Sequence, residues 1–131
     1  MQTKAQQDLI LAERLVSVVD ARNQEVKRIY GNLCHSFPVM VRTCGLCQAV
    51  AFSADKAAND TDRATAHRLL LEHIGTLLGA DNNEPLATLR TANAVEYMLH
   101  TRRVLAAWIY FKRFAVSILQ IEAGDDNGGQ V

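Results

Sequence analysis

The sequence predicts an all-α protein, a compact single-domain bundle of about six or seven helices with a long C-terminal core helix. Apolar residues recur at the three- and four-residue spacing of helices, without the alternation typical of strands. Only two prolines and seven glycines interrupt the 131 residues. Residues that favour helix N-termini precede most apolar stretches. A chain of this length can bury a core without disulfides or metals.

The first helix is predicted from a capping signal and an apolar stripe. Thr3 and Gln6 have the spacing of a capping box, in which each side chain binds the other residue's backbone N–H. The stripe comprises Ala5, Leu9, Ala12, Val16 and Val19. We expect this helix to end near Ala21.

The second helical region is predicted to be interrupted. Asn23 can cap its start, and Gly31 weakens it because glycine has a poor helix propensity. Proline is tolerated in the first turn of a helix, so the helix is expected to restart at Ser36-Phe37-Pro38. Gly45 is a plausible end, and a short helix from Leu46 to Ala54 is predicted to follow.

The middle of the chain predicts one longer and one short helix. Asn59, Asp60 or Thr61 can cap a helix that runs to Leu78 and ends at Gly79. Residues 80–85 are predicted to form a loop. Pro85 is expected to open a short helix through Leu89.

The last helix is predicted to be the longest. Asn93 and Glu96 again have capping-box spacing, and nothing breaks the helix from Ala94 to Ile121, about 45 Å at 1.5 Å per residue. It is apolar around most of its circumference, which is typical of a core helix. Its predicted core residues are Leu105, Trp108 and Phe114. Residues 1–122 are thus assigned to the bundle domain, and residues 123–131 to a disordered polar tail.

The formal net charge is zero, but the charges are unevenly distributed. Residues 22–44 and 90–113 are basic, whereas residues 45–89 are acidic. In residues 90–113, five cationic side chains accompany one carboxylate, that of Glu96. Separate basic and acidic surfaces would allow an anion to bind on one side and basic partners on the other.

Four of these cations are predicted to form a stripe along the last helix. Arg102 and Arg113 are eleven residues apart, about three turns, and therefore share one face. Arg103 and Lys112 lie about 100° round from them. Such a stripe could meet two or three phosphates of a single-stranded RNA. The alternative is an ordinary solvated face.

Three cysteines raise the question of redox or metal chemistry. Cys44 and Cys47 form a C-x-x-C motif, but a thioredoxin-like redox pair would require a βαβ pattern that is missing. A zinc site would have to add the adjacent Cys34 and His35, an unfavourable pair for tetrahedral coordination. The remaining interpretation is that the cysteines are small packed residues at a helix junction.

The other ionisable residues do not match a catalytic motif. Glu72 adjoins His73, and Glu96 precedes His100 by four residues, so the Glu-x-x-His pattern of di-iron bundles is absent. Nucleophile-elbow, Walker and dinucleotide-binding patterns are also missing from the sequence. We therefore expect a protein that is not an enzyme, with no catalytic residue, metal or cofactor.

The sequence also indicates in which cellular compartment the protein is expected. Residues 1–8 lack the apolar core of a signal peptide, and no stretch approaches the roughly 18 apolar residues of a membrane span. An odd number of cysteines fits a reducing compartment. We expect a cytoplasmic protein without a membrane partner.

Two segments carry a family resemblance. Residues 30–52 and 97–118 resemble the small all-helical subunit of the Cmr complex, the type III-B CRISPR effector. In the first segment the matching residues are Tyr30, Pro38, Gly45, Leu46, Gln48, Ala49 and Phe52. In the second they are Tyr97, Thr101, Arg102, Ala106, Ala107, Lys112, Arg113, Phe114 and Ala115. The resemblance extends over about 120 residues, although residues 53–93 match by helical pattern only.

The resemblance implies a non-catalytic subunit of an RNA-guided antiviral complex. Its copies would stack with one another and with other Cmr subunits as an inner filament alongside guide RNA and target RNA, contacting the phosphate backbone. It implies Arg42, Arg102, Lys112 and Arg113 as RNA-binding residues. Arg103 belongs to the same stripe but has no clear counterpart in the family pattern. The alternative is a homo-oligomeric helical interaction module without RNA contact.

Overall fold

The structure is a computed structural model that describes residues 1–80 and 84–124. These residues contain six helices and no strand, which confirms the predicted all-α class. The helices are α1 (Lys4–Val19), α2 (Gln24–Cys44), α3 (Leu46–Lys56), α4 (Asp62–Leu78), α5 (Pro85–Thr91) and α6 (Ala94–Ser117).

The predicted helix starts are largely confirmed. Thr3 with Gln6, and Asn93 with Glu96, form complete capping boxes at the starts of α1 and α6. The Asn23 side chain caps α2, and the Thr61 side chain caps α4. These signals are local, since each involves atoms only three residues apart.

The helix ends differ more from the sequence prediction. α1 ends at Val19 rather than near Ala21, and α3 extends to Lys56. α4 ends as predicted, with Gly79 in the left-handed conformation at φ 66°. Gly45, at φ 90°, separates α2 from α3.

The predicted restart at residues 36–38 is wrong, because α2 continues through Pro38. A proline within a helix removes the hydrogen bond to the carbonyl four residues earlier, which here belongs to Cys34. The indole N–H of Trp108 donates to that carbonyl at 3.0 Å. A side chain from α6 thus supplies the missing donor, and the helix need not break.

Helix α6 is shorter than predicted, because it ends at Ser117 instead of Ile121. The chain reverses at Gln120, whose φ is 62°, and the N–H of Ile121 donates to the Ala115 carbonyl at 2.9 Å. Ile121 then packs on Gly31, where an added Cβ would lie 2.5 Å from the Ile121 Cβ. Gly31, expected to weaken α2, is the residue that permits this close approach.

α6 contributes to the core as predicted, but by one face rather than by most of its circumference. Its buried face comprises Val104, Ala107, Trp108, Phe111 and Ala115. Leu105 and Phe114 are only partly buried, although both pack against the core. Five large apolar residues of α6 are exposed by 39% or more, namely Val95, Met98, Leu99, Ile109 and Val116.

The core lies where α2 packs against α4 and α6. Trp108 stacks on Phe111, with ring centroids 4.2 Å apart, and contacts Phe37 of α2. Tyr30 of α2 shares a 2.6 Å hydrogen bond with Nδ1 of His73 on α4. α1 packs mainly on α6, while α3 and α5 pack against each other and against α4.

Residues 125–131 of the predicted disordered tail lie outside the described residues, so the division at residue 122 stays a prediction. No helix in the described part of the chain is long and apolar enough to cross a membrane.

Candidate nucleic-acid interface

Helices α2 and α6 run antiparallel, and this arrangement positions most of the predicted cations. Near one end Ile121, after α6, contacts Gly31 of α2. Near the other end the Tyr97 hydroxyl accepts a hydrogen bond from the Cys47 N–H, just after α2. The exposed side of α2 therefore runs beside the exposed side of α6.

An open groove of about 470 Å³ lies between the two helices at the C-terminal end of α6. Its lining, called here the α2–α6 groove, comprises His35, Ile109, Lys112, Arg113, Val116 and Ser117. Lys112 and Arg113 are exposed, and neither forms an ion pair with another described residue. Both charges are therefore available to an anion from outside.

Arg42 extends the basic character of α2. It is exposed in the last turn of that helix, seven residues beyond His35. Seven residues are almost two complete turns, so Arg42 and His35 share a side of α2, about 10 Å apart along its axis. Exposed Val39 lies between them.

Arg102 and Arg103 line a second groove, on the opposite side of α6, toward α1 and α4. Lys4 and Asp8 of α1 also line it. The Arg103 guanidinium donates to the Asp8 carboxylate, whose side chain is only 3% exposed. Arg103 is thus engaged within the protein, whereas adjacent Arg102 is exposed and has no ion pair among the described residues.

The four cations of the predicted stripe therefore do not line a single surface, but are divided between the two grooves. Arg102 and Arg113 do point the same way from α6, about 20° apart around its axis. Arg103 and Lys112 flank them on opposite sides, because one lines the groove beside α1 and the other lines the groove beside α2. The structure brings Lys112 and Arg113 together and separates them from Arg103.

Sequence reasoning missed two groove residues, His35 and Lys4. His35 had been considered only as a zinc ligand, and Lys4 belongs to a helix 98 residues before Arg102. Both reach the candidate interface through the packing of α2 and α1 on α6. No local sequence signal marks either residue, although the antiparallel pairing of α2 with α6 would have identified His35.

The exposed face of α6 is apolar as well as basic. Met98 and Leu99 precede Arg102, and Ile109 and Val116 flank Lys112 and Arg113. Exposed aliphatic residues at this density are typical of surfaces that contact other proteins. The face thus combines charges suited to phosphate with apolar area suited to a protein.

The cysteines do not assemble a metal site. No group of three or more His, Cys, Asp or Glu in residues 1–80 and 84–124 is placed to hold a metal ion. Cys44 and Cys47 are exposed, whereas Cys34 is buried. Burial raises the pKa of the Cys34 thiol well above its usual range, so this thiol is protonated and is a poor nucleophile or ligand.

The buried histidines lie in the core, away from both grooves. His73 accepts or donates the bond to Tyr30, and Nδ1 of His67 lies 3.1 Å from the Ser53 hydroxyl. Burial lowers the pKa of each imidazole to about 4, with further lowering at His67 from nearby Arg63 and Lys56. At neutral pH both rings are uncharged and contribute to the core rather than to the basic surface.

Comparison with known proteins gives consistent matches along the chain. The profile of a family described as CRISPR-associated protein (Cas_Cmr5) matches residues 5–118. The CRISPR system Cmr subunit Cmr5 of Thermus thermophilus is 35% identical over 104 residues, 79% of this chain and 86% of that protein. A crystal structure of a CRISPR-associated Cmr5 family protein from the same organism superposes with a TM-score of 0.74 and 31% identity, covering 90% of this chain and 98% of that one.

Proposed function

Because this chain belongs to the Cas_Cmr5 family of CRISPR-associated proteins, we propose that it is a non-catalytic, RNA-contacting subunit of a cytoplasmic type III-B Cmr complex. In this role its copies stack as an inner filament with other Cmr subunits. Their basic surfaces stabilise guide and target RNA through the phosphate backbone, in antiviral defence. The matched subunit of Thermus thermophilus supports the assignment to such a complex.

The observation that carries the RNA-contacting role is the pair of unpaired cations, Lys112 and Arg113, in the α2–α6 groove. Arginine and lysine beside an open groove attract phosphate without regard to base sequence. That property suits a subunit that must accept any guide, because in RNA-guided complexes base pairing itself reads the sequence. A net charge of zero implies weak binding by a single copy and stronger binding when copies align.

Among the predicted residues, Arg42 and Arg102 remain in the proposal because both are exposed. Arg103 is not included in the proposal, because its guanidinium already forms an ion pair with Asp8. RNA contact by Arg103 would require that partly buried ion pair to break, which would leave the Asp8 carboxylate without its cation.

The test is charge reversal in the α2–α6 groove. A Cmr complex assembled with the Lys112→Glu/Arg113→Glu variant should bind target RNA more weakly at low salt. The magnitude of the slope of log affinity against log salt should fall by about 1.5 for each copy that contacts the RNA, since roughly 0.7–0.9 of a counterion is released per phosphate contact and each copy loses two contacts. Filter binding or fluorescence anisotropy from 50 to 300 mM salt would measure both quantities.

The matched control is Arg22→Glu/Arg90→Glu, which changes the net charge equally at two exposed positions outside α6. It should leave the salt slope nearly unchanged. Circular dichroism would verify that both variants retain their helices. An unaltered affinity and slope for the groove variant, in a complex of normal composition, would eliminate the α2–α6 groove as the RNA contact.

A second candidate function is a homo-oligomeric interaction module without RNA contact. The exposed aliphatic side chains on α6, with Ile109 at 60% and Val95 at 67% exposure, favour it. If Ile109→Glu abolished self-association while RNA binding by the complex stayed normal, and the Lys112/Arg113 reversal also had no effect, this candidate would replace the first.

A further inference from the structure

The groove on the α1 side of α6, called here the α1–α6 groove, offers two unpaired cations to a ligand. It has a volume of about 470 Å³, and its polar lining residues are Lys4, Asp8, His100, Arg102 and Arg103. Lys4 and Arg102 are exposed, and neither forms an ion pair with another described residue. The Asp8 carboxylate is 3% exposed and already binds Arg103. An anion in this groove would therefore meet two cations, without an exposed carboxylate among the described lining residues.

The remainder of the α1–α6 groove is aliphatic. Leu77 and Leu78 at the end of α4 line it, together with Leu99 and Ala106 of α6. Cations beside apolar surface suit a ligand that joins an anionic group to a less polar body. A nucleotide has this composition, with a phosphate next to a ribose and a base, and the groove volume lies within the usual range for small-molecule sites.

The α2–α6 groove repeats this chemistry on the other side of α6. It also measures about 470 Å³ and places two unpaired cations, Lys112 and Arg113, beside the exposed aliphatic side chains of Ile109 and Val116. Arg102 and Arg113 are eleven residues apart. That spacing is about 16 Å along the helix axis, which roughly three nucleotides of a single strand span. Two similar sites at this separation favour a ligand with a repeated anionic unit, such as RNA, over a single small anion.

The two grooves meet across α6 at Ala106. Ala106 lines the α1–α6 groove, and Ile109 lines the α2–α6 groove. Because they are three residues apart, they are neighbours on the helix surface, separated by about 60° and about 4.5 Å along the axis. Both are exposed, and the Ala106 side chain is only a methyl group. The ridge between the grooves is therefore low enough at this point for a strand to cross.

We propose that a single RNA strand crosses α6 obliquely over Ala106 and occupies both grooves. Lys4 and Arg102 bind one of its phosphates. Lys112 and Arg113 bind another, roughly three nucleotides further along the strand. The strand crosses α6 rather than following it, because the two pairs of cations line grooves on opposite sides of the helix. This inference rests on the proposed function and adds to it a second phosphate site, a contact by Lys4 and a path for the strand.

The second phosphate site is tested by charge reversal in an assembled Cmr complex. Lys4→Glu/Arg102→Glu should weaken the binding of target RNA at low salt and lower the magnitude of the salt slope by about 1.5 for each copy that contacts the RNA. Glutamate at position 4 is compatible with α1, because a negative charge stabilises the first turn of a helix. The matched control is again Arg22→Glu/Arg90→Glu, which should leave both quantities nearly unchanged.

The crossing is tested with the isolated full chain and two oligouridylates, by NMR titration at 50 mM salt. Diuridylate has a single phosphate and occupies one groove at a time, whereas hexauridylate is long enough to reach both. The second contact of hexauridylate is intramolecular and therefore adds affinity. The ratio of hexauridylate affinity to diuridylate affinity should be about three- to tenfold larger for the wild type than for Lys4→Gln/Arg102→Gln. The control Arg22→Gln/Arg90→Gln should retain the wild-type ratio.

The results distinguish failure of this inference from failure of the proposed function. If Lys4→Glu/Arg102→Glu leaves target-RNA binding unchanged while Lys112→Glu/Arg113→Glu weakens it, the second site is overturned and the proposed function stands. If neither variant weakens binding, both fail.

The affinity ratios decide whether one strand occupies both grooves. Equal ratios for the wild type and Lys4→Gln/Arg102→Gln would mean that the grooves do not share a strand, and would overturn the crossing. Equal ratios together with loss of the Lys4→Glu/Arg102→Glu subunit from the complex would assign the α1–α6 groove to an acidic protein partner, and would overturn the inference as a whole.

Discussion

Arg103 and Asp8 form an ion pair that joins α6 to α1. The Asp8 side chain is 3% exposed and that of Arg103 is 20% exposed, so the pair is largely removed from solvent. A carboxylate in such a place is destabilising unless a cation and hydrogen bonds compensate for its lost hydration. Arg102, next in the chain, is exposed. The two adjacent arginines thus have different roles because they point in different directions from α6. Arg103 faces Asp8 of α1, whereas Arg102 faces solvent.

We expect Arg103→Ala to lower the free energy of unfolding by about 3 kcal/mol, because it leaves the buried Asp8 carboxylate without its cation. Arg102→Ala is the matched control, and its effect should stay within about 0.5 kcal/mol. Urea unfolding followed by circular dichroism at neutral pH measures both values.

An apolar replacement of the pair provides the complementary measurement. Asp8→Leu/Arg103→Met should recover most of the stability lost in Arg103→Ala, because no charge then remains buried. Equal destabilisation by the Arg102 and Arg103 variants would contradict the assignment of Arg103 to helix packing.

At the scale of the elements, α2 depends on α6 for its continuity. Pro38 cannot donate to the Cys34 carbonyl, and the Trp108 indole N–H takes that place at 3.0 Å. Trp108 is fully buried and stacks on Phe111, which fixes the indole for this contact. One hydrogen bond thus couples the integrity of one helix to the packing of another.

A double-mutant cycle between these residues should reveal the coupling. Trp108→Phe leaves the Cys34 carbonyl without a donor and also loses packing area. In a Pro38→Ala background the backbone N–H of the substituted alanine can donate to that carbonyl. The stability loss caused by Trp108→Phe should therefore be smaller there by about 1 kcal/mol, as measured by urea unfolding.

The control background is Pro85→Ala, since Pro85 opens α5 and takes no part in this hydrogen bond. Trp108→Phe should lower the free energy of unfolding by the same amount in that background as in the wild type. Additive effects of Trp108→Phe and Pro38→Ala would mean that the indole contact does not compensate for the proline.

The same elements explain how far the fold follows from the sequence. Helix starts were predictable because Thr3, Asn23 and Asn93 act on backbone groups three residues away. The continuity of α2 through Pro38 was not predictable, because the compensating donor, the Trp108 indole, lies 74 residues along the chain from the Cys34 carbonyl. The end of α6 was not predictable either, because the reversal at Gln120 is accompanied by packing of Ile121 on Gly31.

The candidate site belongs to the whole molecule rather than to one helix. The shared orientation of Arg102 and Arg113 follows from their spacing, and so does the flanking position of Lys112. The spacing does not reveal that Lys112 faces α2 while Arg103 faces Asp8. That distinction arises from the order in which α1, α6 and α2 pack, which no periodicity within α6 encodes.

The whole core also sets how stability varies with pH, through His67 and His73. Burial lowers the pKa of each imidazole to about 4, below the unfolded value near 6.5. Between these values the unfolded chain binds more protons than the folded one, so protonation favours unfolding. Their stabilising effect is complete about one pH unit above 6.5, begins to decrease as the pH falls through 6.5, and is lost as the pH falls toward 4.

We therefore expect the free energy of unfolding to decrease as the pH is lowered from 6.5 to 4.5, by up to about 1.4 kcal/mol per pH unit for each histidine. Urea unfolding at pH 7.5, 6.5, 5.5 and 4.5 measures this slope. Between pH 7.5 and 6.5 the expected decrease is small, about 0.35 kcal/mol per histidine, because the unfolded imidazole becomes only half protonated by pH 6.5 and the folded one stays neutral.

The variant His67→Gln/His73→Gln separates this effect from the titration of carboxylates. Glutamine does not titrate, so the slope between pH 6.5 and 4.5 should fall by up to about 2.8 kcal/mol per pH unit, even if the variant is less stable at every pH. A slope equal to that of the wild type would mean that the folded core accepts protons at these rings as readily as the unfolded chain does. The loss of stability in acid would then come from other groups, because only a difference in proton binding between the two states makes stability depend on pH.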